Sequence, residues 1–442
     1  MNVALLLLLQ VLLAIALHTS ANESFDVRQH LSTVTRYGVV KDISDDSFAP
    51  SKNLDQCTPI HLNLVARHGT RAPTKKRIRE IEALAARLEV LVRDAKEQKQ
   101  SLDKIPAWLT GWSSPWKGKL TGGELISEGE DELYHLGIRV REQFPNLFSE
   151  EYHPDIYSIK ATQDFRKSQE PTVKKLKEPI IDEITHELVR RYGLNFTKQD
   201  VSSLWFLCKQ EASLFNITNQ ACSLFNPAEV SLLEYADDLE SFILKGYGNS
   251  LNYRMGVPLL EDVLQSMEQA IKAKEEGYAP GSYEKARLRF AHAETLLPFS
   301  CLIGLFLKES EFELIQREQA LQFPPKPPNK RNWRGSIVTP FAGNNMLVLY
   351  SCGSNNSSKY FVKVLHNERP IPIPGCNNSD SCPFEVFKER IAAPHLKHDY
   401  NALCNVNLEQ KEKDSALSMF SQMFNWIFSL RNADTPTQKV EL

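Results

Sequence analysis

The chain carries the stretch Arg67-His68-Gly69-Thr70-Arg71-Ala72-Pro73-Thr74 at the boundary between two different sequence patterns. Before it, the apolar residues Ile60, Leu62 and Leu64 alternate with other residues, which predicts a buried strand. After it, residues 75–100 contain neither glycine nor proline, which predicts a long helix. The stretch is therefore predicted to lie at a turn from strand to helix, where free backbone N–H groups and the helix dipole favour a bound anion.

The residue types in this stretch suit a phosphoryl group. Arginine presents a planar fork of N–H donors that matches phosphate oxygens, and Arg67 and Arg71 flank one histidine. Because neighbouring positive charge disfavours imidazolium, we expect His68 to be neutral. A neutral imidazole can attack phosphorus and form a phosphohistidine. Taken alone, however, Arg-His-Gly is a short tripeptide that also arises by chance in loops.

A second stretch makes chance a poor explanation. The run Arg287-Leu288-Arg289-Phe290-Ala291-His292-Ala293-Glu294-Thr295-Leu296 again predicts a strand that leads into a helix. Together the two stretches resemble the histidine acid phosphatases, whose signatures are Arg-His-Gly-x-Arg-x-Pro and a distal His-x-Glu or His-Asp. The form His292-Ala293-Glu294 is similar to the multiple inositol polyphosphate phosphatase branch, which includes plant phytases. The resemblance extends over most of the chain after its N-terminal leader.

The resemblance implies an α/β fold: a phosphoglycerate-mutase-like core with flanking helices, plus an inserted, mainly helical cap domain. Strand-like runs near residues 60, 156, 288, 346 and 360 would build the core. We assign residues 54–163 and 283–430 to a discontinuous core, residues 164–282 to the cap and residues 431–442 to a C-terminal tail. The sequence of the cap segment is polar and largely of helical period, which agrees with this division.

The resemblance also implies roles for the site residues in a two-step hydrolysis of phosphate monoesters. His68 would attack phosphorus, while Arg67, Arg71 and His292 would hold the phosphoryl oxygens. Glu294, when protonated, would donate a proton to the leaving alkoxide and would then act as the base for water. Neither a metal nor another cofactor is required.

The implied substrate is an inositol polyphosphate, and the chain offers a basic cluster for its other phosphates. Lys75, Lys76, Arg77 and Arg79 follow the first motif directly. This cluster is either a solvated helix face or the place where Lys75 and Lys76 hold the phosphates that are not cleaved. Two other functions stay open: another acid phosphomonoesterase or 2,3-bisphosphoglycerate phosphatase of the same superfamily, and a phosphate-binding variant with impaired catalysis.

Composition limits the partners. The chain has 442 residues, 42% of them hydrophobic and 24% charged, and a net charge of −3, which argues against nucleic-acid binding. Apolar residues near the C-terminus recur at helical spacing and predict a helix packed on the core, with peripheral membrane association as the alternative. These residues are Leu417, Phe420, Phe424, Ile427 and Phe428.

Several signals predict a secretory protein. Residues 3–17 are apolar except for Gln10, so we interpret residues 1–21 as a signal peptide, with an uncleaved anchor as the alternative. The last four residues, Lys439-Val440-Glu441-Leu442, differ at one position from an endoplasmic-reticulum retention signal. We therefore expect a glycoprotein of the endoplasmic-reticulum lumen or the extracellular space. Glycosylation sequons occur at Asn22, Asn195, Asn216, Asn355, Asn356 and Asn377.

The cysteines predict structural disulfides, because no pair has metal-ligand spacing. The eight cysteines are Cys57, Cys208, Cys222, Cys301, Cys352, Cys376, Cys382 and Cys404. They allow 105 pairings. Cys376 and Cys382 are close in sequence and flank a polar loop, which favours a local bridge. The family resemblance supports that pair and also Cys57 with Cys352. For the other four we expect Cys208 with Cys404 and Cys222 with Cys301.

One junction departs from the family. Its members carry a third phosphate-binding arginine in a stretch that resembles Ala-Thr-Gln-x-x-Arg-Ala-Ser. Here Ala161-Thr162-Gln163 is followed by Asp164-Phe165-Arg166-Lys167-Ser168-Gln169-Glu170-Pro171, which is similar to a segment well downstream in plant relatives. We infer that a segment is missing between Gln163 and Asp164, and we do not assign Arg166 to the site.

Overall fold

The structure is a computed structural model, and it describes residues 25–43, 54, 56–99, 101–119, 121–161, 170–323, 331–353 and 358–397. These residues form one seven-stranded sheet with helices on both faces. The strands are β1 Thr58–Arg67, β2 Tyr157–Ala161, β3 Ala286–Ala291, β4 Asn344–Ser351, β5 Tyr360–His366, β6 Arg369–Pro370 and β7 Ser381–Pro383. Their order is β2-β3-β1-β4-β5-β6, and β7 pairs with β5. Strands near all five predicted positions are confirmed, and so is the α/β class.

Helices make up most of the remaining described residues. They are α1 Tyr37–Ile43, α2 Lys75–Glu97, α3 Ser127–Gln143, α4 Glu170–Tyr192, α5 Lys198–Phe215, α6 Pro227–Lys245, α7 Ser250–Arg254, α8 Val257–Glu275, α9 Ala293–Leu302, α10 Glu309–Gln316, α11 Gly335–Val338, α12 Phe384–Val386 and α13 Ala393–Leu396. Short 3-10 turns cover Val27–His30, Ser32–Val34, Ala107–Leu109 and Ala221–Leu224, and a π-helix covers Phe387–Ala392. The helix predicted after the first motif is confirmed as α2. None of the described helices combines the length and apolar composition needed to cross a membrane.

Strand β1 is the centre of the sheet. It runs parallel to β3 on one side and antiparallel to β4 on the other. Its two faces pack into different clusters: Leu62 and Leu64 meet α3, whereas Val65 lies with α8 and α9. Because β1 is covered on both faces, its burial is continuous from Ile60 to Arg67 rather than alternating.

Helices α4 to α8 lie between β2 and β3 in the sequence, and we call residues 170–275 the helical insert. Part of the insert shares a separate apolar cluster with α2. In this cluster, Leu188 of α4 and Leu204 of α5 pack with Ile78 and Leu88 of α2. Helix α2, which follows the first motif, therefore connects this motif to the helical insert by packing. The bounds we assigned to the cap and to the two core segments stay predictions.

Three disulfides link cysteines of the described residues, and two of them confirm predicted pairs: Cys57–Cys352 and Cys376–Cys382. The pairing of Cys208 with Cys404 and of Cys222 with Cys301 is wrong, because Cys208 is bonded to Cys222.

The cause of the error is a local reversal of the chain. Cys208 lies in α5, and the chain turns back into the 3-10 turn Ala221–Leu224, so that the Cα atoms of Cys208 and Cys222 are 4.5 Å apart. Cys301 is a free thiol buried in a different apolar cluster, within α9.

Several predicted features lie outside the described residues. These are the signal peptide, Asn22, Arg166, Asn355, Asn356, Cys404, the apolar stripe 417–428 and the tail 431–442. The sequon residues Asn195, Asn216 and Asn377 are exposed, as a glycan requires.

The disulfides should differ in their contribution to stability. Cys57 and Cys352 are 295 residues apart, whereas Cys376 and Cys382 are separated by 6. Since a longer closed loop constrains the unfolded chain more, replacing Cys57 and Cys352 by serine should cost about 2–5 kcal/mol of unfolding free energy. The matched double replacement at Cys376 and Cys382 should cost less. Urea denaturation of both variants measures the two losses, and the opposite order would contradict this assignment.

Candidate active site

The two sequence motifs meet because β1 and β3 are parallel and end together. Arg67 is in register with Ala291, so His68 and His292 each follow the last residue of neighbouring strands. The backbone N–H of His68 donates to the carbonyl of Ala291 at 2.9 Å. The two imidazole rings lie edge to face with their centroids 5.4 Å apart. The carboxyl edge of the sheet therefore presents both histidines at one place.

The loop after β1 is held by helix α3. Glu132 of α3 accepts hydrogen bonds from the Thr70 backbone N–H at 2.7 Å and from the Thr70 hydroxyl at 2.9 Å. The two backbones also approach closely: a Cβ on Gly69 would lie 1.9 Å from the carbonyl oxygen of Gly129. Both Glu132 and Gly129 went unnoticed in the sequence, because nothing in their local pattern shows that α3 packs on the motif.

His68 is oriented and neutral. Its Nδ1 lies 2.8 Å from the carbonyl oxygen of Gly69, which has no proton to give, so Nδ1 carries the proton and donates it. The lone pair is then on Nε2. The pKa of His68 is lowered to about 3, first by burial and then by the positive charge of Arg67. The predicted influence of the arginines is therefore present, but burial is the larger cause.

Arg67 is a buried cation with most of its environment supplied by the backbone. Its Nη1 donates to the carbonyl oxygens of Thr33 and Thr339, the latter at 2.8 Å, and its guanidinium lies 4.6 Å from the centre of the Phe341 ring. Burial lowers the pKa of Arg67 to about 10, so the side chain stays charged at neutral pH. Its Nε has no hydrogen-bond partner among the described residues. That donor remains available for an anion.

Arg71 and Lys75 lie progressively further along the loop. Arg71 pairs with Leu125 through a backbone bridge, and its charge contributes to lowering the pKa values of both His68 and Arg67. Lys75 is the first residue of α2, and its side chain is exposed.

The rest of the basic cluster is also exposed. Lys76, Arg77 and Arg79 lie in the first turns of α2. Arg77 pairs with Glu80 at 2.6 Å and covers the ring of Phe206 at 4.9 Å, so it packs on the helical insert.

The second motif places two different groups at the site. His292 is the N-cap residue of α9, and its buried Nδ1 has no hydrogen-bond partner among the described residues. Glu294 lies in the first turn of α9, where its Oε1 accepts a hydrogen bond from Lys245 Nζ at 2.7 Å.

The ionisation of Glu294 differs from what its expected role requires. Burial raises the pKa of Glu294, but pairing with Lys245 and the charge of Arg67 more than offset this, and the pKa falls to about 2. The sequence motif leads us to expect a protonated carboxyl, whereas a pKa of about 2 corresponds to a carboxylate at neutral pH. The cause is Lys245, which lies outside both motifs.

Within the described residues, no group of three or more His, Cys, Asp and Glu side chains has the geometry of a metal site. The site combines a neutral His68 imidazole, the buried Arg67 guanidinium and the Glu294 carboxyl group. Such an arrangement suits phosphoryl transfer to and from histidine.

A family model confirms this class. The model of the histidine phosphatase superfamily (branch 2) matches residues 60–169 and 163–367, and the chain belongs to this superfamily. The two matched parts overlap at residues 163–169, which include the junction where we infer a missing segment.

Named relatives and solved structures agree with this placement. The chain is 26% identical over 382 residues to multiple inositol polyphosphate phosphatase 1 of Homo sapiens, covering 72% of this chain and 76% of the relative. It is 24% identical over 459 residues to the protein of the same name from Dictyostelium discoideum, covering 80% and 69%.

Two solved structures share the fold. The phytase from D. castellii aligns with a TM-score of 0.60 and 18% identity, over 88% of this chain and 89% of that one. The multiple inositol polyphosphate phosphatase of Bifidobacterium longum, in complex with inositol hexasulfate, aligns with a TM-score of 0.58 and 16% identity, over 85% and 99%.

Two glycines of α3 provide a matched test of the loop packing. A Cβ at Gly129 would lie 2.0 Å from the carbonyl oxygen of Thr70, whereas a Cβ at Gly137 would meet nothing within 4 Å. Gly129→Ala should therefore displace the motif loop, lower the unfolding free energy by about 1–3 kcal/mol and reduce phosphatase turnover. Gly137→Ala should stabilise the helix by about 0.5–1 kcal/mol and leave turnover unchanged. Thermal unfolding and hydrolysis of an aryl phosphate measure both; equal behaviour of the two variants would contradict the close packing.

Proposed function

We propose that the chain is a phosphomonoesterase that removes phosphate from inositol polyphosphates through a phosphohistidine at His68. The observation that carries the proposal is the pairing of β1 with β3, which brings a neutral His68 beside His292 and Glu294. Membership of the histidine phosphatase superfamily supports the reaction class. The relatives named multiple inositol polyphosphate phosphatase support the substrate class.

The first step is attack of the His68 Nε2 lone pair on phosphorus. The bond from phosphorus to the leaving oxygen breaks as the bond to nitrogen forms. The Arg67 Nε–H and a ring nitrogen of His292, which have no partner among the described residues, lie at the site together with Arg71, and the two guanidinium groups offset the negative charge of the phosphoryl oxygens. Glu294, once protonated, gives its proton to the leaving alkoxide. Water then attacks the phosphohistidine, with the Glu294 carboxylate as base, and His68 is released as neutral imidazole.

The remaining phosphates of the substrate need other contacts. We propose that the exposed Lys75 and Lys76, at the start of α2, hold them. Two features support this: both side chains follow the motif loop directly, and the positive end of the α2 dipole adds to their charge. We assign Arg77 to packing on Phe206 instead.

We also propose that this form lacks the third phosphate-binding arginine of its family. A missing charged hydrogen bond of this kind weakens phosphate binding by about 1.5–3 kcal/mol.

We also propose that the protein is located in the secretory pathway, in the endoplasmic-reticulum lumen or outside the cell. Three disulfides support an oxidising compartment.

The nucleophile and the acid can be separated by mutation. His68→Ala should lower turnover of inositol hexakisphosphate by on the order of 10³-fold or more, because the covalent step is lost. Glu294→Gln should lower it by about 10²–10⁴-fold, and by much less for an activated aryl phosphate, whose leaving group needs no proton. Phosphate release from both substrates measures these changes. Near-normal turnover by His68→Ala would refute the mechanism. For the wild type, a preference for the aryl phosphate over inositol hexakisphosphate would favour a general acid phosphatase. No turnover of either substrate by the wild type would favour a variant with impaired catalysis.

The low pKa of His68 predicts an acid-tolerant enzyme. The imidazole attacks only when neutral, that is, above its pKa, which is about 3 rather than the ordinary 6.5. As pH falls from neutral, kcat/KM should therefore not decline through titration of His68 until pH approaches about 3. A pH profile of aryl phosphate hydrolysis checks this. A decline governed by a group of pKa near 6.5 would show that burial does not hold His68 neutral.

A further inference from the structure

The helical insert contributes an ammonium group to the site. Lys245 is the last residue of α6, and its Nζ donates to Glu294 Oε1 at 2.7 Å. The side chains of Lys245 and Glu294 are 30% and 17% exposed, so the pair borders solvent rather than lying in the core. An ammonium has three N–H donors, and Glu294 uses one of them. Glu294 is the partner of Lys245 Nζ among the residues that the structure describes, so two donors remain for a ligand that enters the site.

The backbone next to Lys245 is tightly packed. A Cβ on Gly246 would lie 2.7 Å from the Trp333 ring, so the chain packs tightly directly after α6. The next residue, Tyr247, is fully buried, and its hydroxyl donates to the carbonyl of Leu305 at 2.7 Å. The insert therefore presents Lys245 from a packed end of α6, and the flexible four-carbon stem of a lysine allows its ammonium to exchange one anionic partner for another.

The charges that face Glu294 leave the proposed mechanism with a conflict. They are Lys245 from α6 and Arg67 from β1, while the histidines His68 and His292 lie at the same edge of the sheet. With Lys245 in place, the pKa of Glu294 is about 2, so the carboxyl carries no proton at the pH where it should act as an acid. Something must draw Lys245 away before the leaving group departs. A phosphoryl or sulfate group offers several anionic oxygens and competes directly with the carboxylate for the ammonium.

We propose that Lys245 is a phosphoryl-binding residue that also controls the protonation of Glu294. Without substrate it holds Glu294 as a carboxylate; when a phosphoryl group binds, the Lys245 ammonium turns to the phosphoryl oxygens. Glu294, buried and now beside an anion, takes a proton from solvent and later passes it to the alkoxide. The exchange moves the Lys245 hydrogen bond from the carboxylate to the phosphoryl oxygens, and the carboxylate gains one proton from solvent; no other covalent bond changes. The inference rests on the proposed function, because it assigns Lys245 to the same phosphate site.

The expected signature is proton uptake when an anion binds. Inositol hexasulfate is a suitable probe, because its sulfate esters stay ionised and take up no protons themselves. At about pH 4, free wild-type Glu294 is ionised and becomes protonated on binding, which contributes about one proton per ligand. In Lys245→Met the buried carboxyl has lost its cationic partner and already carries its proton in the free protein, so Glu294 contributes little.

A double-mutant comparison assigns the uptake to Glu294. Calorimetric titration in buffers of different ionisation enthalpy counts the protons for wild type, Lys245→Met, Glu294→Gln and the double variant. The number of protons taken up by Glu294→Gln is subtracted from the number taken up by the protein with Glu294. This subtraction removes the protons taken up by the histidines. We expect the wild type to take up about one proton more per ligand than Glu294→Gln. In the Lys245→Met background, the same comparison between the single and the double variant should give a difference close to zero. Lys245→Met should also bind the hexasulfate about tenfold more weakly.

Controls separate this role from a structural one. Lys198→Met removes another lysine of the helical insert, which pairs with Glu178 at 2.9 Å and Asp182 at 2.6 Å, and should match the wild type in affinity and proton uptake. Lys245→Arg keeps the charge and should keep the uptake. Equal uptake in the wild-type and Lys245→Met backgrounds, or unchanged affinity, would overturn the inference and leave the proposed function standing. Failure of the wild type to bind the hexasulfate would contradict both.

Discussion

The site depends on the parallel pairing of β1 with β3. The hydrogen bond from the His68 N–H to the Ala291 carbonyl, 2.9 Å long, continues this ladder into the two loops that carry the functional side chains. The whole helical insert lies between β2 and β3 in the sequence, so the pairing must form across a large sequence separation. Burial of β1 on both faces and the Cys57–Cys352 disulfide at its start hold the strand in position. The end of β1 therefore carries the Arg67 guanidinium, and the next residue carries the His68 imidazole.

The charges and the free hydrogen-bonding groups of the site favour a bound anion. Arg67 remains charged although it is buried, and His68 is kept neutral. The Arg67 Nε–H and the His292 Nδ1 lack partners among the described residues. A buried donor without a partner costs about 1–3 kcal/mol. A phosphoryl group would supply acceptors to such donors, so part of the binding energy comes from relieving this cost. The Glu294 carboxylate opposes the anion, and its pairing with Lys245 offsets that charge.

Local sequence patterns were enough to predict the strands, the helix and the turns that carry the two motifs. Strand β1, helix α2 and the strand-to-helix turns appear in the periodicity of the sequence, and the two motifs identify both histidines. The Cys208–Cys222 disulfide was missed because the pairing depends on how the chain reverses after α5, which cysteine spacing does not show.

The residues that support the motifs were missed for a similar reason. Gly129 and Glu132 act through the packing of α3 on the loop, and Lys245 acts through the position of the insert above α9. Each contact joins residues far apart in sequence, and none of these residues belongs to a motif. The ionised state of Glu294 follows from one such contact, so only the structure could show it.

The central claim is that His68 becomes phosphorylated during turnover. Mixing the protein with inositol hexakisphosphate, quenching with alkali after milliseconds and sequencing the peptides by mass spectrometry would locate the phosphoryl group. The account predicts an acid-labile phosphoryl group on the His68 imidazole that disappears as substrate is exhausted. Phosphate release without any phosphohistidine, or a phosphoryl group on His292 with His68 unmodified, would contradict it.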